Sequence, residues 1–98
     1  MIPTTIRVRV TEYDLARSVS DPSIDPLARA ISRMLKTSIE DVEVSKDMVY
    51  IWNEWDNPDQ VYILDQDAVE YLTDWEQYQD GSWHERPETF EFNIIQRE

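Results

Sequence analysis

Residues 53–91, NEWDNPDQVYILDQDAVEYLTDWEQYQDGSWHERPETFE, settle whether this 98-residue chain orders itself or stays an acidic coil. The stretch holds twelve carboxylates, Glu54, Asp56, Asp59, Asp65, Asp67, Glu70, Asp74, Glu76, Asp80, Glu85, Glu88 and Glu91, against one basic side chain, Arg86. Disordered acidic segments are poor in aromatic residues because they have little surface to bury. Here Trp55, Tyr62, Tyr71, Trp75, Tyr78, Trp83 and Phe90 are threaded among the acids. The negative charge is therefore written onto a segment with enough apolar area to fold.

Within that stretch, residues 68–78 read as a helix. Asp67 followed three residues later by Glu70 is an acidic variant of the capping box. Ala68, Leu72 and Trp75 recur at helical spacing and make the inward stripe, with Tyr71 and Tyr78 on its margins. Asp67, Glu70 and Asp74 line another face. Asp80-Gly81 ends the helix, glycine suiting the left-handed position after a C-cap. Upstream, Val61-Tyr62-Ile63-Leu64 is either a strand or an extended lead-in, and residues 53–59 form a polar loop turning at Asn57-Pro58. Downstream, Phe90-Glu91-Phe92-Asn93-Ile94 alternates strictly, which predicts a strand burying Phe90, Phe92 and Ile94.

Farther out, residues 40–44 and 48–52 are two short strands split by Ser45-Lys46-Asp47, a three-residue hairpin connection that lacks the usual glycine. A helix precedes them. Asp25 is its N-cap, Pro26 its first residue, and Leu27, Ala30, Ile31, Met34 and Leu35 its apolar stripe. Arg29, Arg33 and Lys36 form a basic stripe on another face, read first as a solvated surface. At the start of the chain Ile6, Val8 and Val10 face inward from a strand in strict alternation. Thr11 caps a short helical turn over residues 12–17, with Tyr13, Leu15 and Ala16 as its apolar contacts. The order predicts an α+β fold in one domain, residues 1–98. A small single-layer sheet of four to five short strands carries two helices on one face. The first and last strands are expected to pair in the centre, setting Arg7 and Arg9 across from Glu91.

The chain has no cysteine, which excludes disulfides, thiolate metal sites and cysteine nucleophiles and suits a reducing cytoplasm. No segment approaches the roughly 20 apolar residues of a membrane span, and residues 1–5 lack the apolar run of a signal peptide. Net charge is −12 and unevenly placed, +2 over residues 1–36 and −14 over residues 37–98. Such a field repels nucleic acids and anionic membranes and attracts basic protein surfaces.

Catalysis finds no foothold. The carboxylates lie in polar, turn-rich surroundings, and nothing marks one as a buried general acid. His84 is the only histidine, so neither a supported triad nor a multi-histidine metal site can be built. The loop Asp56-Asn57-Pro58-Asp59 lacks the twelve-residue spacing and central glycine of a calcium-binding hand. No catalytic residue, metal ligand or cofactor is assigned. Trp75 and Phe92 sit on apolar stripes and read as core. Trp55 and Trp83 lie in polar loops beside acids, where packing over the core and contact with a partner weigh equally.

Four motifs together carry a resemblance. The opening strand IRVRV with YDLA after it, the helix PLARAI, the VYIL before the second helix and the closing PETFEFNI resemble small uncharacterised α+β proteins encoded by bacteriophages and other mobile elements. The likeness spans most of the chain as a loose pattern of apolar positions. It implies a one-domain α+β fold and a phage or prophage setting, hence the cytoplasm of a bacterial host. It carries over no catalytic residue.

The functional expectation joins charge, spacing and setting. Carboxylates three or four residues apart on a helix stand roughly 4.5–6 Å apart along its axis. Duplex DNA presents a phosphate about every 3.4 Å per strand. A rigid acidic surface can therefore approximate that field sparsely and occupy the basic channel of a host defence nuclease, in the anti-CRISPR or anti-restriction manner. The expected partner-binding residues are Glu54, Trp55, Asp56, Asp59, Asp67, Glu70, Asp74, Asp80, Trp83 and Glu85. The alternative is a phage structural, assembly or adaptor protein acting by protein-protein contact. Either fits a monomer or a homodimer, the latter with the Arg29/Arg33/Lys36 stripe docked on another copy's acidic face.

Overall fold

A computed structural model describes residues 4–20, 24–52, 58–82 and 85–97. In chain order the elements are β1 (Thr5–Val10), α1 (Glu12–Ser20), α2 (Pro26–Leu35), a 3-10 turn (Ile39–Asp41), β2 (Val42–Ser45), β3 (Met48–Trp52), β4 (Pro58–Leu64), α3 (Gln66–Gln79) and β5 (Phe90–Gln96). The strands form one open antiparallel sheet, ordered β1-β5-β4-β3-β2. The predicted α+β class is the observed one, with three helices among the described residues where two were expected.

The extra helix is α1, expected only as a turn. Thr11 and Asp14 build a reciprocal capping box. Asp14 N donates to the Thr11 hydroxyl at 3.3 Å, and the Asp14 carboxylate accepts from Thr11 N at 2.9 Å and from the hydroxyl at 3.0 Å. Leu15 and Ser18 are buried, but Tyr13 is 62% exposed with the Arg17 guanidinium 5.3 Å from its ring centroid, and Ala16 is exposed. Of the three apolar contacts expected of this segment, only Leu15 reaches the core.

The basic stripe of α2 is not a purely solvated face. Arg33 donates to the buried Asp14 carboxylate at 2.6 Å and to Arg9 O at 2.8 Å, and Arg29 Nε donates to the buried Ser18 hydroxyl at 2.9 Å. These contacts clamp α1 against α2 and the end of β1. Asp25 caps α2 by accepting from Ala28 N at 2.7 Å, as its position before Pro26 implies. Leu27, Ala30 and Ile31 are buried, whereas Met34 is 42% exposed.

The second strand starts later than expected, at Val42, because residues 39–41 close a 3-10 turn. Ser45 pairs with Met48, so the β2–β3 connection has two residues, Lys46 and Asp47, not three. Lys46 takes φ 55°, the left-handed conformation that short hairpins demand. β4 settles the ambiguity at Val61–Leu64 as a strand and extends back to Pro58, which occupies the first strand position, where its missing N–H is tolerated.

β1 and β5 do pair, with Arg9 opposite Glu91 and Arg7 opposite Asn93. Arg7 Nε lies 3.0 Å and Arg9 Nε 3.9 Å from the Glu91 carboxylate. The pair is not central, however: β1 is an edge strand, and β4 holds the middle of the sheet. The core lies between one sheet face and the three helices, built from Val8, Val10, Val49, Ile51, Tyr62, Leu64, Phe92 and Ile94 below and Leu15, Leu27, Ala30, Ile31, Ala68, Tyr71, Leu72 and Trp75 above.

Candidate functional site

α3 positions the largest set of predicted partner-binding acids, and its cap differs from the expected one. Asp65, not Asp67, is the N-cap: its Oδ1 accepts from Ala68 N at 2.8 Å. Its Oδ2 accepts from Asn93 N of β5 at 2.8 Å, and its own N–H donates to Asn93 O at 3.3 Å. One carboxylate thus starts the helix and continues the sheet ladder where β4 ends. Asp67 is left in the first turn, exposed and favoured there by the helix dipole. At the other end Gly81, at φ 85°, closes a Schellman motif, with Ser82 N bonded to Gln77 O and Gly81 N to Tyr78 O.

The helix is fixed by burial of Ala68, Tyr71, Leu72 and Trp75. Tyr71 is core rather than margin: its ring stacks 4.6 Å from Phe90, and its hydroxyl donates to Glu88 O. Burial pushes the phenol pKa up to about 12. Opposite this buried stripe, Asp67, Glu70 and Asp74 are exposed and spaced i, i+3, i+7, which aligns them as one ridge. Among the described residues none of the three has an ion-pair partner. The acids elsewhere are often engaged: Asp14 by Arg33, Glu12 by Arg86 at 2.6 Å, Glu91 by two arginines and Glu43 by Trp52 Nε1 at 3.0 Å.

Asp80 does not join that ridge. It lies with Glu76 on the other flank of α3, around an open cleft of about 400 Å³ that also meets Asp25 and Val44. The Ser82 hydroxyl and N–H hold the Asp80 carboxyl below its ordinary pKa, whereas burial, with the Glu76 charge adding to it, raises Asp25. Glu85 is exposed. Glu54, Trp55, Asp56 and Trp83, like His84, lie outside the described residues, as does the side chain of Asp59, whose backbone belongs to β4. Among the described residues the predicted set therefore divides into a three-carboxylate ridge and Asp80 across the helix, with Glu85 exposed beyond α3.

Sequence reading missed two features here. The cleft joins residues 25 and 76–80, a proximity that no local spacing encodes. The double role of Asp65 had a local signal, since Asp-Gln-Asp offers two adjacent caps, but only the sheet decides between them. Among the described residues no group of three or more His, Asp or Glu stands close enough to hold a metal ion, and no helix is long and apolar enough to cross a membrane. No family model, curated protein or solved structure matches this chain.

Proposed function

We propose that this protein is an acidic inhibitor, of phage or mobile-element origin, that occupies the nucleic-acid-binding surface of a host defence nuclease. The observation that carries this reading is the Asp67/Glu70/Asp74 ridge. Three carboxylates without ion-pair partners among the described residues stand on a helix whose opposite side is locked in the core. Charges on a fixed element lose little conformational entropy when bound, so the ridge can meet a Lys/Arg channel at low ordering cost. The chain's net charge of −12 steers it toward such a channel.

Reversal of all three charges, Asp67→Lys, Glu70→Lys and Asp74→Lys, tests the reading in a pull-down from bacterial lysate. Expected is a loss of target capture of at least about tenfold, with the far-ultraviolet circular dichroism unchanged because the cap at Asp65 is untouched. Wild-type capture should fall steeply with salt and be displaced by DNA or RNA. Capture that survives the reversal, high salt and excess nucleic acid would favour the adaptor reading. That reading draws support from a different surface, the side of the sheet that the helices leave uncovered.

A further inference from the structure

Asp80-Gly81 is a dipeptide with chemistry of its own, and it holds the only glycine of the chain. With no Cβ beside it, a glycine amide is the least hindered main-chain nucleophile toward the carboxyl group of a preceding aspartate. Asp80, Gly81 and Ser82 are all exposed. Among the described residues nothing beyond the chain neighbours lies within 4 Å of the place where a Gly81 Cβ would stand. Access is therefore open, but the geometry is closed. Ring closure between Gly81 N and Asp80 Cγ needs Cβ eclipsed with that nitrogen about the Cα–C bond. Asp80 has ψ 1°, which eclipses its own nitrogen with Gly81 N and turns Cβ away. Both reacting groups are also engaged. Gly81 N donates to Tyr78 O at 3.3 Å, and Asp80 Oδ1 accepts from Ser82 N at 2.8 Å. Ser82 N also donates to Gln77 O at 3.0 Å, so one N–H ties the carboxylate to the helix end. The Ser82 hydroxyl and N–H hold the carboxyl below its ordinary pKa, and a carboxylate is a poorer electrophile than the neutral acid.

We propose that Asp80-Gly81 is a fold-gated site of spontaneous isomerisation to isoaspartate, shut by the Schellman end of α3 and opened when that end unwinds. In the open state Gly81 N loses its proton and bonds to Asp80 Cγ, whose hydroxyl leaves with a proton as water. The succinimide ring so formed then takes up one water. Opening at Cγ restores aspartate, whereas opening at the Asp80 main-chain carbonyl leaves the chain running through Cγ. No oxidant or cofactor enters, and the final mass is unchanged. The isoaspartate linkage adds one main-chain carbon just where the bonds to Tyr78 and Gln77 close α3, so that end cannot re-form in the same register. A transient fraying is thereby made lasting, on the helix that carries the Asp67/Glu70/Asp74 ridge.

The test is isoaspartate formation in the full chain, incubated in neutral buffer with and without concentrated urea. It is read by enzymatic methylation of isoaspartyl carboxyls and by chromatographic peptide mapping. Residue 80 should isomerise at least about tenfold faster in urea than in the folded chain. Asp80→Glu, which would have to close a larger ring, should abolish the signal in both conditions. Ser82→Pro removes the N–H that ties Asp80 to Gln77, and proline is common just beyond a helix C-cap. It should raise the rate in buffer at least about threefold while circular dichroism retains the helix signal. Ser82→Ala, lacking only the hydroxyl, should give a smaller rise and replaces the proline variant if that one unfolds. Equal rates in buffer and urea overturn the gate, as do folded Ser82 variants that isomerise no faster than wild type. Isoaspartate arising mainly at another aspartate overturns the site.

Discussion

Lys36 and Lys46 hold left-handed backbone at φ 54° and 55°, one ending α2 and the other turning the β2–β3 hairpin. A side chain pays about 1 kcal/mol for that conformation, and glycine does not. Lys36→Gly and Lys46→Gly should each therefore raise stability by about 0.5–1 kcal/mol, read from the midpoint of urea unfolding. An unchanged or lower midpoint would count against the backbone explanation. Tyr71 makes a second residue-scale prediction. Its folded pKa of about 12 exceeds the ordinary 10, so the fold favours the neutral phenol. The corresponding stability is fully present below pH 10 and is lost as pH rises toward 12. An ultraviolet titration should show a late-ionising tyrosine that Tyr71→Phe removes.

At the scale of elements, Asp65 joins three of them: β4 ends before it, α3 starts after it, and β5 bonds to its free oxygen. Asp65→Ala removes both a helix cap and a charged acceptor for a strand N–H, at an expected cost of about 2 kcal/mol. Asp67→Ala, by contrast, should change stability by less than about 0.5 kcal/mol, since its side chain is exposed. Equal losses in chemical denaturation would return the capping role to Asp67. This pair shows how far local patterns carry. Ser/Thr/Asp spacing and the apolar stripes placed every helix within a few residues, and strict alternation placed β1 and β5. The length of α1 escaped because the Arg33 ion pair that anchors its capping box comes from nineteen positions away.

For the whole molecule, charge is the dominant whole-chain property. With −12 on 98 residues, self-repulsion opposes compaction. Thermal midpoints should therefore rise by several degrees between about 10 and 300 mM sodium chloride. A flat response would mean that local pairs such as Arg33–Asp14 and Arg86–Glu12 already absorb the repulsion. The two layers also present different surfaces. The helix side presents the Asp67/Glu70/Asp74 ridge, without ion-pair partners among the described residues, and the opposite sheet face presents the half-exposed apolar side chains of Ile63 and Ile95.

The sequence by itself determined the α+β class, the alternating strands β1 and β5, the Asp25 and Gly81 helix ends, and the i, i+3, i+7 line of Asp67, Glu70 and Asp74. Each follows from spacing along a few turns of backbone, where the chain's own geometry fixes which side chains share a face. Only the tertiary structure decided that β1 lies at an edge, that Arg33 serves a buried carboxylate, that Asp80 stands apart from the ridge, and that Asp65 bonds to β5 as well as capping α3. Those relations join residues tens of positions apart, and strand order and register, rather than local propensity, bring such residues together.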